Sequence, residues 1–322
     1  MQNYIFAVDE TPYCVWGIDL DERNLEFLNG IDSQYFEYLA KVNVEHLQGE
    51  HRQRAAIALR SGYHHGLETL FFLLSALIQA PSAPFAYCQK CYPKEIKSIL
   101  KRIDNQEAIL TRRGKQIISW EGLSESIHIY SNSDKARAKD TGQRFAKLWQ
   151  MLARQYLDEK NDREYNNIKH GFRAKSGGFG IFFQPESSSG KLDLSKNPTS
   201  LGNSEFGSSF FMVESFSGKD PNFWVRRQLL NWNPEAIAYS LNLISMSINN
   251  VVSYLKIAIG IKPEEVIFIR PEASEYFDLP GKFNIGVTSA NIDYVITKND
   301  TKDFSREDIR YQLENSSIDK GD

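Results

Sequence analysis

Tyr63-His-His-Gly-Leu-Glu-Thr-Leu-Phe-Phe-Leu-Leu-Ser-Ala-Leu-Ile-Gln-Ala80 is apolar on nearly every side of a helix, through Leu67, Leu70, Phe71, Leu73, Leu74, Leu77 and Ile78. A helix of this kind is stable in water only when other elements cover it. Pro81 and Pro84 stop it. The pattern therefore predicts a buried central helix over 63–80. Upstream, from Asp32, Tyr35, Phe36, Leu39, Ala40 and Val42 to Val44 recur at helical spacing, less regularly through Leu47 to Leu59, until Ser61 and Gly62 interrupt. Downstream, Phe145, Trp149, Leu152 and Tyr156 fall at steps of four, three and four, on one face of a helix from Gln143. A fourth helix is signalled over 233–260. Asn233 supplies its N-cap and Pro234 its first turn, Ile237, Leu241, Ile244, Ile248, Val251, Val252 and Leu255 form its stripe, and Gly260 and Pro263 end it.

The rest of the chain reads as connections and extended pieces. Residues 1–20 predict extended segments or a short hairpin, residues 94–102 a short helix, and 108–110 with 116–120 a strand pair. The stretch 131–142, SNSDKARAKDTG, is polar and linker-like. FGIFF (179–183) and FGSSFFMVESF (206–216) predict the two strands of an inserted β-hairpin, at about 176–220, joined by the polar run 186–205. EVIFI and FNIGV are short apolar pieces near the C-terminal end, and 301–322 reads as a disordered charged tail. The expected fold is mainly α: one domain over 1–300, a helical bundle with an inserted β-hairpin and short extended segments at its N- and C-terminal ends.

Composition narrows the function classes modestly. With 41% apolar residues in 322, the chain can bury a core without disulfides or structural metals. A net charge of −3 provides no global attraction to nucleic acid, though it permits a local basic patch. The N-terminus lacks a signal-peptide pattern and no apolar run is long enough to span a bilayer, so a cytoplasmic protein without a membrane partner is expected. Cys14, Cys88 and Cys91 are too few for a disulfide framework.

Several familiar chemistries lack their residues. Cys88-Gln-Lys-Cys91 has the spacing of a zinc knuckle or redox pair, but no second CxxC or paired His completes four ligands, so no metal is expected. His46 and His51 stand five apart, where zinc on one helical face wants four. SGGFG lacks the context of a dinucleotide loop, and neither Gly190-Lys191 nor Gly218-Lys219 is followed by Ser or Thr as a phosphate-binding loop requires. No Gly-x-Ser-x-Gly elbow is present.

One polar helical segment stands out, Arg163-Glu-Tyr-Asn-Asn-Ile-Lys-His170-Gly171. If the helix from Gln143 runs unbroken to His170, then Arg163, Asn166 and His170 extend the apolar stripe, placing polar groups on the core-facing side. Such groups need partners or a ligand, because burying them bare costs several kcal/mol in order of magnitude. If instead the charged run Asp158 to Asp162 breaks the helix, a short separate helix buries Tyr165 and Ile168, and Arg163, Asn166 and His170 are solvated. Both readings fit the residues.

Arg163 followed after six residues by His170 resembles the Arg-x(4 to 6)-His signature of the HEPN superfamily, and Arg60-Ser-Gly-Tyr-His-His65 fits the same spacing. Glu164 stands where catalytic members usually carry Asn, Asp or His. The resemblance implies a helical, often dimeric protein acting as a metal-independent ribonuclease in bacterial defence or toxin–antitoxin systems, with RNA as partner and no cofactor. It makes His170 the proton-transfer group, Arg163 the cation that stabilises charge on the phosphate, and Asn166 an orienting group, with Lys169 and Arg173 as binding residues. The alternative is a non-catalytic binding or regulatory protein. There Arg163, Asn166 and His170 form a structural network, and the Phe-rich 179–216 hairpin meets a protein partner.

Overall fold

A computed structural model describes residues 2–17, 20–184, 197–215, 223–283, 286–293 and 304–315. Its internal contacts gather into two compact units, residues 1–169 with 233–284 and residues 170–232 with 285–322.

In the first unit, two antiparallel strands, β1 (Gln2–Val8) and β2 (Thr11–Gly17), precede α1 (Leu20–Asn29), α2 (Tyr35–Val44), α3 (Arg52–Gln79), α4 (Pro84–Cys88) and α5 (Pro93–Asp104). A second hairpin, β3 (Ala108–Thr111) and β4 (Gly114–Ile117), leads to α6 (Trp120–His128), α7 (Lys135–Leu157) and α8 (Glu159–Lys169). Helix α9 (Pro234–Ala258) and two 3-10 turns, Pro263–Glu265 and Ser274–Gly281, complete the unit. The predicted central helix is the second half of α3, where Leu67, Leu70, Phe71, Leu73, Leu74 and Leu77 are buried. Helices α2, α5, α7 and α9 pack around α3. The α9 stripe is buried as its spacing predicts, and the Asn233 side chain accepts the Ala236 N–H at the helix start.

Helix α3 does not stop at Ser61 and Gly62. A side chain added at Gly62 would approach Leu39 Cδ2 to 2.8 Å, and one at Gly66 would meet Ile244 Cγ2 at 3.0 Å. These glycines permit close helix packing rather than ending the helix. The linker-like stretch 131–142 is also mostly helix: α7 starts at Lys135, where Asp134 Oδ1 accepts the N–H groups of Ala136 and Arg137. The buried Gln79 amide ties the two hairpins to the body. It accepts from the Asp9 N–H (2.8 Å) and donates to the carbonyls of Asp9 (2.8 Å) and Leu110 (2.7 Å).

The second unit is built on strands. β5 (Lys175–Ser176), β8 (Gly207–Ser215), β9 (Phe223–Asn231) and β10 (Ser289–Asp293) form an antiparallel sheet in the order β10-β9-β8-β5. β6 (Gly180–Phe183) and β7 (Thr199–Asn203) make a separate pair. Within the expected disordered tail, α10 forms over Arg306–Asn315. The buried Asn231 side chain accepts from the Phe179 N–H and donates to the carbonyls of Phe179 and Val287, joining three segments of the unit.

The expected helical bundle with one inserted hairpin is therefore incorrect. The described residues hold four sheets, one of them four-stranded, and the chain is mixed α and β. FGIFF and FGSSFFMVESF do not pair with each other: Gly180 lies opposite Asn203, and Phe210 opposite Gln228. Strand β9 escaped the sequence reading because adjacent Arg226 and Arg227 interrupt the alternation that marks a half-buried strand. In the sheet they face opposite ways, Arg226 toward Asp293 (3.1 Å) and Arg227 toward the Ser209 hydroxyl (3.0 Å). Much of the polar run 186–205, the end of the expected insertion at 216–220, Gly190-Lys191, Gly218-Lys219, part of FNIGV and much of the tail lie outside the described residues.

Candidate functional site

The helix leading toward Arg163 breaks. α7 ends at Leu157, Asp158 takes an extended conformation with ψ 121°, and its carboxylate accepts the Lys160 N–H. The break resets the helical phase, so α8 turns Asn161, Glu164 and Ile168 inward. Glu164 is fully buried and Ile168 nearly so. Arg163 lies at the margin, paired with Glu159 on its own helix. Asn166 and Lys169 are exposed, and Lys169 approaches Glu68 at 3.4 Å. In the second unit, His170 and Arg173 are exposed as well. The continuous core-facing stripe through Arg163, Asn166 and His170 does not form.

The charged groups brought together inside are ones the sequence reading did not select. Arg60 and His64, four residues apart on α3, share a face and converge on one oxygen of Glu164. Arg60 Nη2 and Nε lie 2.6 and 2.8 Å from Glu164 Oε2, and His64 Nε2 lies 3.1 Å from it. Arg60 Nη2 also donates to Asn161 Oδ1 at 2.8 Å. Arg60 is 7% exposed, His64 5% and Glu164 0%. The His64 ring stacks on Tyr165 at 5.2 Å, and Tyr165 donates its hydroxyl proton to Glu68 at 2.8 Å.

Burial alone would raise the Glu164 carboxyl, but Arg60 and the hydrogen bond from His64 outweigh it and hold the group far below the usual carboxylate range. Burial and the neighbouring guanidinium lower His64 despite its carboxylate partner. His64 is thus a neutral imidazole donating Nε2–H, and Arg60 carries the compensating charge. A carboxylate with both cationic and neutral donors satisfied is a structural device before it is a catalytic one. Glu164 had drawn notice only as a departure from a motif. The available signal was the pair Arg60 and His64 at one helical turn, inside the other match to the same spacing.

Two further groups prove structural. His128 is completely buried, stacked on Phe145 at 4.3 Å; its Nδ1 donates to the Ser124 carbonyl (2.8 Å) and its Nε2 accepts from Asn250 (3.1 Å). Burial pushes it down to about 4. Burial pushes the Cys91 thiol up to about 11 and Cys88 higher still, so both stay protonated near neutral pH.

The second unit presents a different kind of surface. Residues opposite one another across strands share a face, which aligns Phe211 with Arg227 and Ile292, Val213 with Val225, and Ser215 with Phe223. On this face Phe211 is 58% exposed, Val213 59%, Phe223 56% and Ile292 46%. The opposite face carries buried Phe210, Gln228 and Leu230. Phe182 and Phe183 of β6, from the expected contact hairpin, are also exposed.

No family model, curated protein or solved structure matches this chain. No helix among the described residues is long and apolar enough to cross a membrane.

Proposed function

We propose that this chain is a non-catalytic binding protein that takes a protein partner on the Phe211, Val213, Phe223 and Ile292 face of the β8–β9–β10 sheet. The observation carrying this reading is that four large apolar side chains on one sheet face are each about half exposed or more. Clustered apolar exposure marks interaction surfaces, whereas isolated apolar residues do not. Covering the exposed half of one such side chain contributes roughly 1 kcal/mol, about half of the value for burying it from full exposure. Arg227 among these groups gives the aromatic and arginine composition of interface centres, and suits an acidic residue on the partner. The buried Arg60–Glu164–His64 cluster serves the scaffold in this reading. The test is co-purification from cells expressing the chain, comparing the natural sequence with a Phe211→Glu, Phe223→Glu variant whose circular dichroism is unchanged. A partner lost only by the variant supports the reading; no protein that depends on this face refutes it.

A second reading, a metal-independent ribonuclease of the HEPN type acting as a dimer through Arg163 and His170, is favoured by one feature. His170, Asn166, Lys169 and Arg173 are exposed to solvent where a polyanion can reach them, while Arg163 is half-buried and paired with Glu159. Incubation with mixed RNA in EDTA, beside Arg163→Ala and His170→Ala, tests it. Cleavage lost in both folded variants supports it, and no cleavage, or cleavage indifferent to both changes, removes it.

A further inference from the structure

The first unit contains a groove with a volume of about 740 Å³, bounded by Ile5 to Ala7 of β1 on one bank and Leu110 to Arg112 on the other. The two banks belong to separate two-stranded sheets that do not hydrogen-bond to each other. Which backbone groups face the gap follows from hairpin geometry. Val8 and Thr11 flank the two-residue turn in which Asp9 has φ 54°, so their polar groups point toward each other. Directions alternate along a strand, so Ala7 and Ile5 turn N–H and C=O outward.

Two independent features agree with that assignment. Pro12, which has no N–H, lies opposite Ala7, where no donor toward β1 is required. Asp9, two residues beyond Ala7, turns both backbone polar groups outward to Gln79, and across the gap the Leu110 carbonyl turns to the same amide. The Gln79 side chain thus fills one rung between β1 and β3 in the manner of a missing strand. At the next rungs, Ala7 and Ile5, no bond to the outward groups is made among the described residues. Ala7 is nonetheless buried, and buried backbone groups in native proteins are almost always paired.

We infer that this groove binds an extended peptide segment of a partner protein, which adds as a strand to the outer edge of β1 at Ile5 and Ala7 and continues the rung occupied by Gln79. Such addition takes affinity from main-chain hydrogen bonds and selectivity from alternate side chains. One charge selects the bound sequence, and a second is already engaged. Arg112 stands on the β3 bank, donating to the Ser82 hydroxyl at 3.2 Å and forming no ion pair among the described residues, so it favours an acidic side chain. Asp21, also at the groove, is engaged by the Tyr4 hydroxyl at 3.0 Å. The segment is therefore extended, with apolar residues alternating with small polar ones and one Asp or Glu opposite Arg112. The site lies in the first unit and is independent of the sheet face proposed above.

The probe is a pool of N-acetylated, C-amidated octapeptides in which Thr alternates with Val, Ile or Leu and one position carries Asp or Glu. Titration into ¹⁵N-labelled full-length protein should move and protect the Ile5 and Ala7 amides. Arg112→Glu should weaken the acidic peptides and favour versions carrying Lys instead. Ile5→Pro, matching the tolerated Pro12 on the other strand, should keep the fold and weaken binding up to about tenfold, as expected for losing the one backbone hydrogen bond that the Ile5 N–H donates. N-methylating the peptide at residues facing β1, against methylation at alternate residues, reads the same bonds in unaltered protein if Ile5→Pro does not fold. No perturbation of these amides at about 1 mM peptide, the weak limit of specific binding, overturns the inference. Equal binding by the two N-methylated series does so as well.

Discussion

Deleting the Glu164 carboxylate by Glu164→Ala strands the Arg60 guanidinium, 7% exposed, without its counter-charge and takes the acceptor from His64 Nε2. Removing one partner of a buried ion pair costs about 3–5 kcal/mol, against about 0–1 kcal/mol for a surface pair. With a urea dependence of about 3 kcal/mol/M, that loss lowers the unfolding midpoint by about 1–1.7 M. The assay is equilibrium urea unfolding followed by tryptophan fluorescence, in low salt and again in about 1 M salt, where exposed pairs are screened and buried ones are not. Replacing both partners, as Arg60→Met with Glu164→Leu, should recover the part of the loss that comes from the stranded guanidinium, while His64 Nε2 still lacks its acceptor. A cost below about 1 kcal/mol for Glu164→Ala, or one that vanishes in high salt, would show that α8 is not held by a buried charge.

Three other outcomes follow from the same packing. His128, with an ordinary value near 6.5 and a folded value pushed down to about 4, is neutral in the folded protein and protonates more readily when unfolded. Its contribution is therefore complete above about pH 6.5 and lost as the pH falls toward 4, by roughly 3 kcal/mol. Denaturation measured across that window should show the slope, and His128→Asn should flatten it. Gly142→Ala should destabilise, because the new Cβ meets the Glu125 backbone at 3.0 Å, whereas at Gly62 it meets the movable end of Leu39. The helix propensity gain of about 1 kcal/mol offsets the strain at Gly62 but not at Gly142, and thermal denaturation of the two variants should separate them. Asn233→Ala removes the acceptor for the Ala236 N–H at the start of α9 and should cost about 1 kcal/mol in the same measurement.

Helices were legible where burial leaves a periodic imprint. The 63–80 run, the Phe145, Trp149, Leu152 and Tyr156 face, and the capped 233–260 stripe each appear in the structure because a helix burying one face must carry apolar groups at helical steps. The hairpin sheets were read only in part. The expected hairpin near the N-terminus forms, and the strand from Ala108 pairs as expected, though its partner is Gly114–Ile117 rather than 116–120 and Trp120 opens α6. β9 hides behind adjacent arginines, and the strands β6 and β8 choose partners that local pattern does not specify. Pairing depends on segments distant in sequence, and its energy lies in cross-strand contacts rather than in either strand alone.

The candidate site divides in the same way. Arg163, Asn166 and His170 left two readings open, one continuous helix or a break in the run Asp158 to Asp162, and the extended Asp158 gives the break, resetting the phase of α8 so that Ile168 is buried and Tyr165 half-buried. Local sequence determined that Arg60 and His64 share a face of α3 and that α8 is polar almost throughout. Only the docking of α8 on α3 decided that Glu164 becomes the buried carboxylate between them, since the pairing energy exists only when both charges leave water together.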